Sequence, residues 1–249
     1  MIRIVNIVKT FNKGEANEVS ALKNISLEIK QKEFVVLVGG NGSGKSTLLN
    51  IISGKIIADS GKIFLDNIDV TKLEEHERSK WIARIFQDPL TGTALDLSIL
   101  ENFRLASLRT QKKNLFIGTG KKFQKEAKEK ISVLGLGLEN RLSRPMNSLS
   151  GGQRQALTLV MAIMSEAKIM LLDEPASALD PRTATLVMQS AEKIISSYEL
   201  TAMLVTHNIK DALTYGSRII QMDDGRIARD ISGNEKSVLK AAEVAEWFG

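Results

Sequence analysis

Two rhythms of apolar positions run along this chain. In MIRIVNIVKTF at its start, and again at Ile25, Leu27 and Ile29, apolar residues alternate with polar ones, the period of a strand with one buried face. Phe34–Val38 and Ile169–Asp173 run apolar without that alternation, which suits strands buried on both faces of a sheet. Helix-like segments follow both, Leu48–Ile52 after the first. A third apolar run, Thr201–Thr206, follows a helix predicted to open at Pro181. This strand–helix alternation predicts a mainly parallel sheet covered by helices. Arg218–Ile231 reads as two strands around Asp223-Asp224-Gly225, a hairpin signal, so antiparallel strands are expected beside the parallel core. From Pro89 to Ala167 the periodicity is helical, with no convincing strand, and predicts an inserted helical subdomain. The expected organisation is α/β: one domain over 1–249, with a core from 1–88 and 168–249 and a helical insertion over 89–167.

Composition narrows the class. The chain has 249 residues, 43% hydrophobic and 25% charged, close to the globular average and unlike a disordered protein. The lack of cysteine excludes disulfides, thiolate metal sites and a cysteine nucleophile. The longest nearly apolar run, Ala156–Met164, is far short of the about 20 residues that span a bilayer. The first residues read as a strand rather than a secretory signal, so a soluble, cytoplasmic chain is expected. The formal net charge of +5 comes from one block: Arg104–Lys130 holds nine Lys or Arg against two Glu. Such a block is either a solvated helical face with a basic loop or a contact with an anionic surface. Only Phe116 and Phe123 interleave with it, so base stacking is poorly supported and no nucleic-acid partner is expected.

The most specific pattern is Gly39-Gly40-Asn41-Gly42-Ser43-Gly44-Lys45-Ser46-Thr47, which fits G-x-x-x-x-G-K-[ST] between a buried strand and an apolar helix. Glycines let successive N–H groups turn inward around a phosphate, and the helix N-terminus adds partial positive charge. Lys45 can reach the β- and γ-phosphates and Ser46 can ligate Mg²⁺, so a nucleoside triphosphate site is predicted. Asp173-Glu174 closes the second buried strand, where ligands bind in open α/β sheets. There Asp173 can hold the metal through a coordinated water, and Glu174 can polarise the water that attacks the γ-phosphate. By themselves, two acids at a strand end also fit a helix cap or a solvated turn. Ser150-Gly151-Gly152-Gln153 is another helix start, equally compatible with an anion site and with an ordinary capped helix. His76 has no chemical context and reads as exposed, and Asn208-Ile209-Lys210-Asp211 lacks the spacing of a guanine-reading N-K-x-D.

The phosphate loop, Gln87 in IFQDP, LSGGQ at 149–153, the LLDEP run, Ser177-Ala178-Leu179-Asp180 and His207 closing LVTH together resemble the ATP-binding cassette ATPases in order and spacing. The resemblance covers nearly the whole chain. It implies a P-loop NTPase fold with a RecA-like core, an antiparallel β subdomain and a helical subdomain, with ATP and Mg²⁺ as ligands. It implies that Phe11 stacks on adenine, Gln87 contacts Mg²⁺ and couples the site to a partner, Glu174 is the catalytic base and His207 contacts the γ-phosphate. It also implies that Ser150, Gly151, Gly152 and Gln153 close over the ATP of a second copy, and that Asp180 lies at the dimer and coupling surface. Phe11, where the family more often has Tyr, and Ala176, where Thr is common, depart from the pattern.

IFQDPLTGTALDLSILEN, LGLGLENRL and LSGGQRQALTLVMA look most like the stand-alone ATPases of bacterial importers that use a solute-binding protein, including a tryptophan-uptake type. Integral-membrane permease subunits, a solute-binding protein, a homodimer formed through ATP and a place on the inner face of the plasma membrane are what that likeness implies. The alternative is an ATPase of the same family acting on a soluble partner, as in iron–sulfur assembly or repair; repair relatives would need a coiled-coil insertion or large extra domains. A non-catalytic nucleotide sensor would be favoured by loss of Lys45 or Glu174, and both are present.

Overall fold

A computed structural model describes residues 2–88, 90–108, 118–165 and 167–248. The chain opens with β1 (Ile2–Phe11), β2 (Val19–Ile29) and β3 (Phe34–Val38), then α1 (Lys45–Ser53), β4 (Ser60–Leu65), β5 (Ile68–Asp69), α2 (Glu75–Arg78) and β6 (Ile82–Ile85). Helices α3 (Ile99–Ser107), α4 (Lys121–Ser132) and α5 (Gly151–Ala162) precede β7 (Ile169–Asp173). There follow α6 (Pro181–Ser197), β8 (Thr201–Val205), α7 (Ile209–Thr214), β9 (Arg218–Asp223), β10 (Arg226–Ser232), α8 (Gly233–Ser237) and α9 (Ala241–Ala245).

Among the described residues the strands form two sheets. One is antiparallel, in the order β2-β1-β4-β5; the other runs β10-β9-β3-β8-β7-β6, with β9, β3, β8, β7 and β6 parallel and β10 antiparallel at its edge. The central strands β3, β7 and β8 are almost wholly apolar because both faces are covered. Val36, Val38, Met170, Leu172 and Leu204 point into a core shared with α5 and α6. Val35, Leu37, Leu171, Met203 and Val205 point into the opposite core, with α1 and the antiparallel sheet.

The expected hairpin turns at Asp224-Gly225, both with positive φ as a two-residue turn of this kind requires. It is not set apart with the N-terminal strands. Its first strand pairs in parallel with β3 and extends the core sheet, because Ile219, Ile220 and Met222 are buried beside β3. Strands β4, β5 and β6 carry too little periodic signal over two to six residues to be read from sequence. The described residues between 90 and 165 hold helices and no named strand, with a lone bridge from Ser98 to Pro145. Pro89 and residues 109–117 of the basic block lie outside the described residues. No helix of the described residues is long and apolar enough to cross a membrane.

Candidate nucleotide site

Strand order brings the predicted chemistry to one edge. β3 neighbours β8, β8 neighbours β7 and β7 neighbours β6, so Gly39, His207, Asp173-Glu174 and Gln87 all follow the carboxyl ends of adjacent parallel strands. The loop from Gly39 to Gly44 is shaped by backbone conformations that only glycine adopts cheaply. Gly39 has φ 142°, and a Cβ there would sit 2.1 Å from the Met222 carbonyl oxygen. Gly44 has φ 99°, and a Cβ would lie 2.6 Å from the Ala21 carbonyl oxygen. Gly44 also starts α1 without any side-chain cap, which leaves the helix N–H groups for an anion.

Lys45 is 8% exposed and curls back over the loop, its Nζ donating to the carbonyls of Gly39 (2.8 Å) and Gly40 (2.7 Å) and to Ser43 Oγ (3.2 Å). Burial lowers its pKa, while the nearby carboxylates of Glu174 and Asp173 pull the other way. Gly40 is half-buried and Ser43 buried, while Asn41, Gly42 and Ser46 are exposed and Thr47 half-buried. Across the site, Glu174 has φ 47°, a strained left-handed conformation for a non-glycine, held by its N–H donating to the Val205 carbonyl (3.0 Å). Its Oε2 lies 2.9 Å from His207 Nδ1. A cavity of about 410 Å³ opens beside this pair, lined also by Leu179, Thr206 and Asp211. Gln87 is exposed just beyond β6. Phe11 is half-buried at the end of β1, with Lys9 Nζ 5.6 Å from its ring centroid.

The glycine loop, the Lys45 ammonium and the uncapped start of α1 suit a phosphate chain. The Ser46 hydroxyl, an Asp173 oxygen and the Gln87 amide oxygen are donors that Mg²⁺ takes. Mg²⁺ draws its remaining ligands from phosphate and water, so it does not need three clustered His, Asp or Glu, and the described residues hold no such cluster.

The family model for the ABC transporter matches residues 22–177. Over its whole length the chain is 39% identical to a tyrosine transport ATP-binding protein of Clostridioides difficile, covering 98% of that protein. The chain belongs to the ABC transporter ATPase family. A macrolide export ATP-binding/permease protein, MacB of Campylobacter fetus, is 34% identical over 95% of this ABC ATPase and 35% of its own length. Among solved structures, the dimeric post-hydrolysis state of the ATP-binding cassette MJ0796 bound to ADP and Pi matches with a TM-score of 0.78 and 34% identity, over 93% of this chain and 98% of that one. The ABC ATPase is therefore an ATP-hydrolysing enzyme of the P-loop class.

The second glycine-rich start is built differently in this ABC ATPase. Ser150 caps α5 by accepting from the Gln153 N–H (3.2 Å), and Gln153 Oε1 accepts from the Ser150 N–H (3.2 Å), a reciprocal capping box. A Cβ on Gly152 would fall 1.9 Å from Thr183 Cγ2 on α6, so that glycine is also demanded by helix packing. Among the described residues no hydrogen bond or ion pair joins Ser150–Gln153 to the phosphate loop of the same chain. Asp180 caps α6, accepting from the Arg182 and Thr183 N–H groups, and the Thr183 hydrogen bonds lower its pKa. His76 is exposed, and Asn208 caps α7 by accepting from the Asp211 N–H.

Two buried arginines escaped the sequence reading. Arg78, 1% exposed, donates to the carbonyls of Ile51 (2.7 Å), Ile52 (2.9 Å), Leu73 (2.8 Å) and Thr71 (3.2 Å), and so closes the carboxyl end of α1. Burial lowers its pKa to about 10. Arg84 on β6 pairs with Asp173 at 2.8 Å. Arg84 gives one sequence signal, an arginine among apolar neighbours, whereas Arg78 lies in the polar run Glu74–Lys80 and gives none.

Proposed function

We propose that this ABC ATPase drives the uptake of a small solute, with an amino acid as the leading class, through separately encoded permease subunits at the inner face of the plasma membrane. What carries the catalytic part is the convergence at one sheet edge, with Glu174 in hydrogen-bond contact with His207 beside the phosphate loop. Phe11 offers a ring face to the adenine, and the N–H groups of Gly39–Thr47 with the Lys45 ammonium hold the phosphates. Ser46, Asp173 and Gln87 would hold Mg²⁺, which when bound neutralises charge on the β- and γ-phosphates. Glu174 accepts the proton of the attacking water as the water oxygen bonds to the γ-phosphorus and the bond from that phosphorus to the β–γ bridging oxygen breaks, so that ADP leaves with the bridging oxygen. His207, whose Nδ1 meets Glu174 at 2.9 Å, has its other ring nitrogen left for a γ-phosphate oxygen.

The active form is a two-fold dimer with two ATP molecules at its interface. Supporting this, the Gly151 and Gly152 N–H groups have no protein acceptor among the described residues, and their chain's own phosphate loop is complete without them. Ser150–Gln153 of one copy then faces the γ-phosphate held by the other, and Asp180 lies along that contact. The permease docks on the helical insertion, over 89–167, with Gln87 at its root as the coupling residue. A groove of about 350 Å³ between the end of β6 and helices α3 and α5, lined by Phe86, Thr91, Leu105 and Met161, supports this surface, with Leu90, Leu97 and Leu105 exposed beside it. A solute-binding protein would deliver the cargo, and the tyrosine transport relative supports an amino acid as its class.

The test is co-purification with the multi-span proteins encoded beside it, followed by reconstitution into vesicles with ATP on the cassette side and labelled amino acids on the other. ATP-dependent accumulation that Lys45→Ala abolishes is the expected result. ATP-dependent extrusion would make it an exporter, and capture of a soluble partner with no permease would replace the transport reading.

A further inference from the structure

Asp173 does not stand free at the end of β7. Its Oδ2 accepts from Arg84 Nη2 at 2.8 Å, and the same guanidinium, through Nη1, donates to Asn50 Oδ1 at 2.7 Å. Asn50 lies on α1, one turn beyond Ser46, so the two prongs of Arg84 hold the helix carrying Ser46 and the strand carrying Asp173 at a set spacing. The Arg84 side chain is 8% exposed, and its ring contact is Phe86, 4.9 Å to the centroid, the residue before Gln87. Phe86 is in turn held by Gln155 of α5, whose Nε2 donates to its carbonyl oxygen at 2.8 Å.

The contrast with Arg78 is informative. Arg78 spends its donors on four backbone carbonyls, as a residue that only closes a fold does. Arg84 reaches Asp173 at the end of β7 and, on α1, Asn50 and at 3.5 Å the Ser53 hydroxyl, and it leaves its buried Nε with no partner among the described residues, an arrangement that costs stability. Its aim is therefore set by Asp173 and Asn50 rather than by packing.

We propose that Arg84 is a positioning residue for the nucleotide's metal: it ties up Oδ2 of Asp173, presents Oδ1 toward the metal-bound water and fixes the Asp173–Ser46 spacing. This rests on the assignment of Asp173 and Ser46 to the metal side. A lysine cannot replace it, because a point ammonium lacks the planar fork that serves two acceptors at once. Partners that orient metal-holding groups typically contribute 10 to 100-fold in metal affinity.

The test uses the full chain and Mn²⁺ as the metal probe, read by loss of the free-ion paramagnetic signal at saturating non-hydrolysable ATP analogue. Nucleotide affinity is measured in EDTA and the melting temperature is followed alongside. Arg84→Met and Arg84→Lys should each weaken Mn²⁺ binding by about 10 to 100-fold and leave the metal-free nucleotide affinity at its native value. Asn50→Ala, which cuts one prong and keeps the charge, should weaken Mn²⁺ binding in the same direction by less, and decides the matter if the Arg84 variants do not fold. Native Mn²⁺ affinity in these variants overturns the proposal, as does tighter binding in Arg84→Met, which would make Arg84 a competitor of the cation. Equal losses with and without metal overturn it in favour of a structural ion pair. Asp173→Asn distinguishes the two levels: native Mn²⁺ affinity there defeats the assignment of Asp173 itself, whereas a loss there beside native Arg84 variants defeats only the role of Arg84.

Discussion

The helix starts at Gly44-Lys45 and at Ser150-Gly151 look alike as strings of small residues, yet they are made by different forces. At the first, glycines take left-handed conformations under contact with Met222 and Ala21, no side chain caps the helix, and a buried lysine is folded onto loop carbonyls. At the second, a serine and a glutamine cap each other, and Gly152 is small because Thr183 of the next helix lies against it. The first is a complete anion cradle within its own chain. The second is a self-capped helix end whose Gly151 and Gly152 N–H groups have no protein acceptor among the described residues. A glycine-rich helix start thus announces close approach, and what approaches, a phosphate or a neighbouring helix, depends on the cap.

The sharpest way to break this comparison is to remove the charge from the first start. Lys45→Ala should abolish measurable ATP hydrolysis while the fold persists, since the loop conformation rests on glycine geometry and a lost ammonium leaves the phosphates without their counter-charge. Steady-state phosphate release from the purified variant decides it, and unchanged turnover would refute the assignment of the loop.

Glu174→Gln keeps the hydrogen-bonding shape toward His207 and removes the base, so turnover should fall by about 10² to 10⁴-fold with ATP still bound. Light scattering on this variant with and without Mg-ATP then asks whether the second helix start finds its external ligand. A protein that stays monomeric at saturating nucleotide counts against the two-ATP dimer.

The third change separates packing from binding at the second start. Gly152→Ala pushes a methyl into Thr183 Cγ2 and should cost about 1–3 kcal/mol, a drop of several degrees in melting temperature. Thr183→Ser removes that methyl, keeps the hydroxyl that bonds Asp180, and should restore most of the loss. A double variant that melts normally yet no longer forms the ATP-dependent dimer would assign Gly152 to both jobs; one that does both normally would leave packing as its sole role.

The smallest effect is expected from Ser150→Ala, which deletes half of the capping box and should cost about 1 kcal/mol of stability. ATP affinity of the monomer should be unaffected, because the residue makes no contact with its own phosphate loop among the described residues. Weakened nucleotide binding without dimerisation would show that the two starts communicate within one chain.

The sequence by itself determined what depends on neighbours along the chain. Phe34–Val38 and Ile169–Asp173 are strands with the bounds read from the sequence, because a strand buried on both faces shows a continuous apolar run, here of five and of four residues. The helix at Pro181 opens where a capping Asp180 and a first-turn proline require it. The phosphate loop was legible because its glycines, lysine and serine act on one ligand from adjacent positions. Only the tertiary structure decided what joins distant segments. Nothing local in the run Ile82–Ile85 shows that Arg84 lies between Asp173 and Asn50, nor that Arg78 meets the last carbonyls of α1. Likewise, Arg218–Asp223 carries a hairpin signal, but whether it joins the small antiparallel sheet or extends the parallel one is settled by burial of Ile219 and Ile220 beside β3. Such partners are selected by the sheet order, which is a property of how the whole chain closes its two cores, and no window of local pattern contains it.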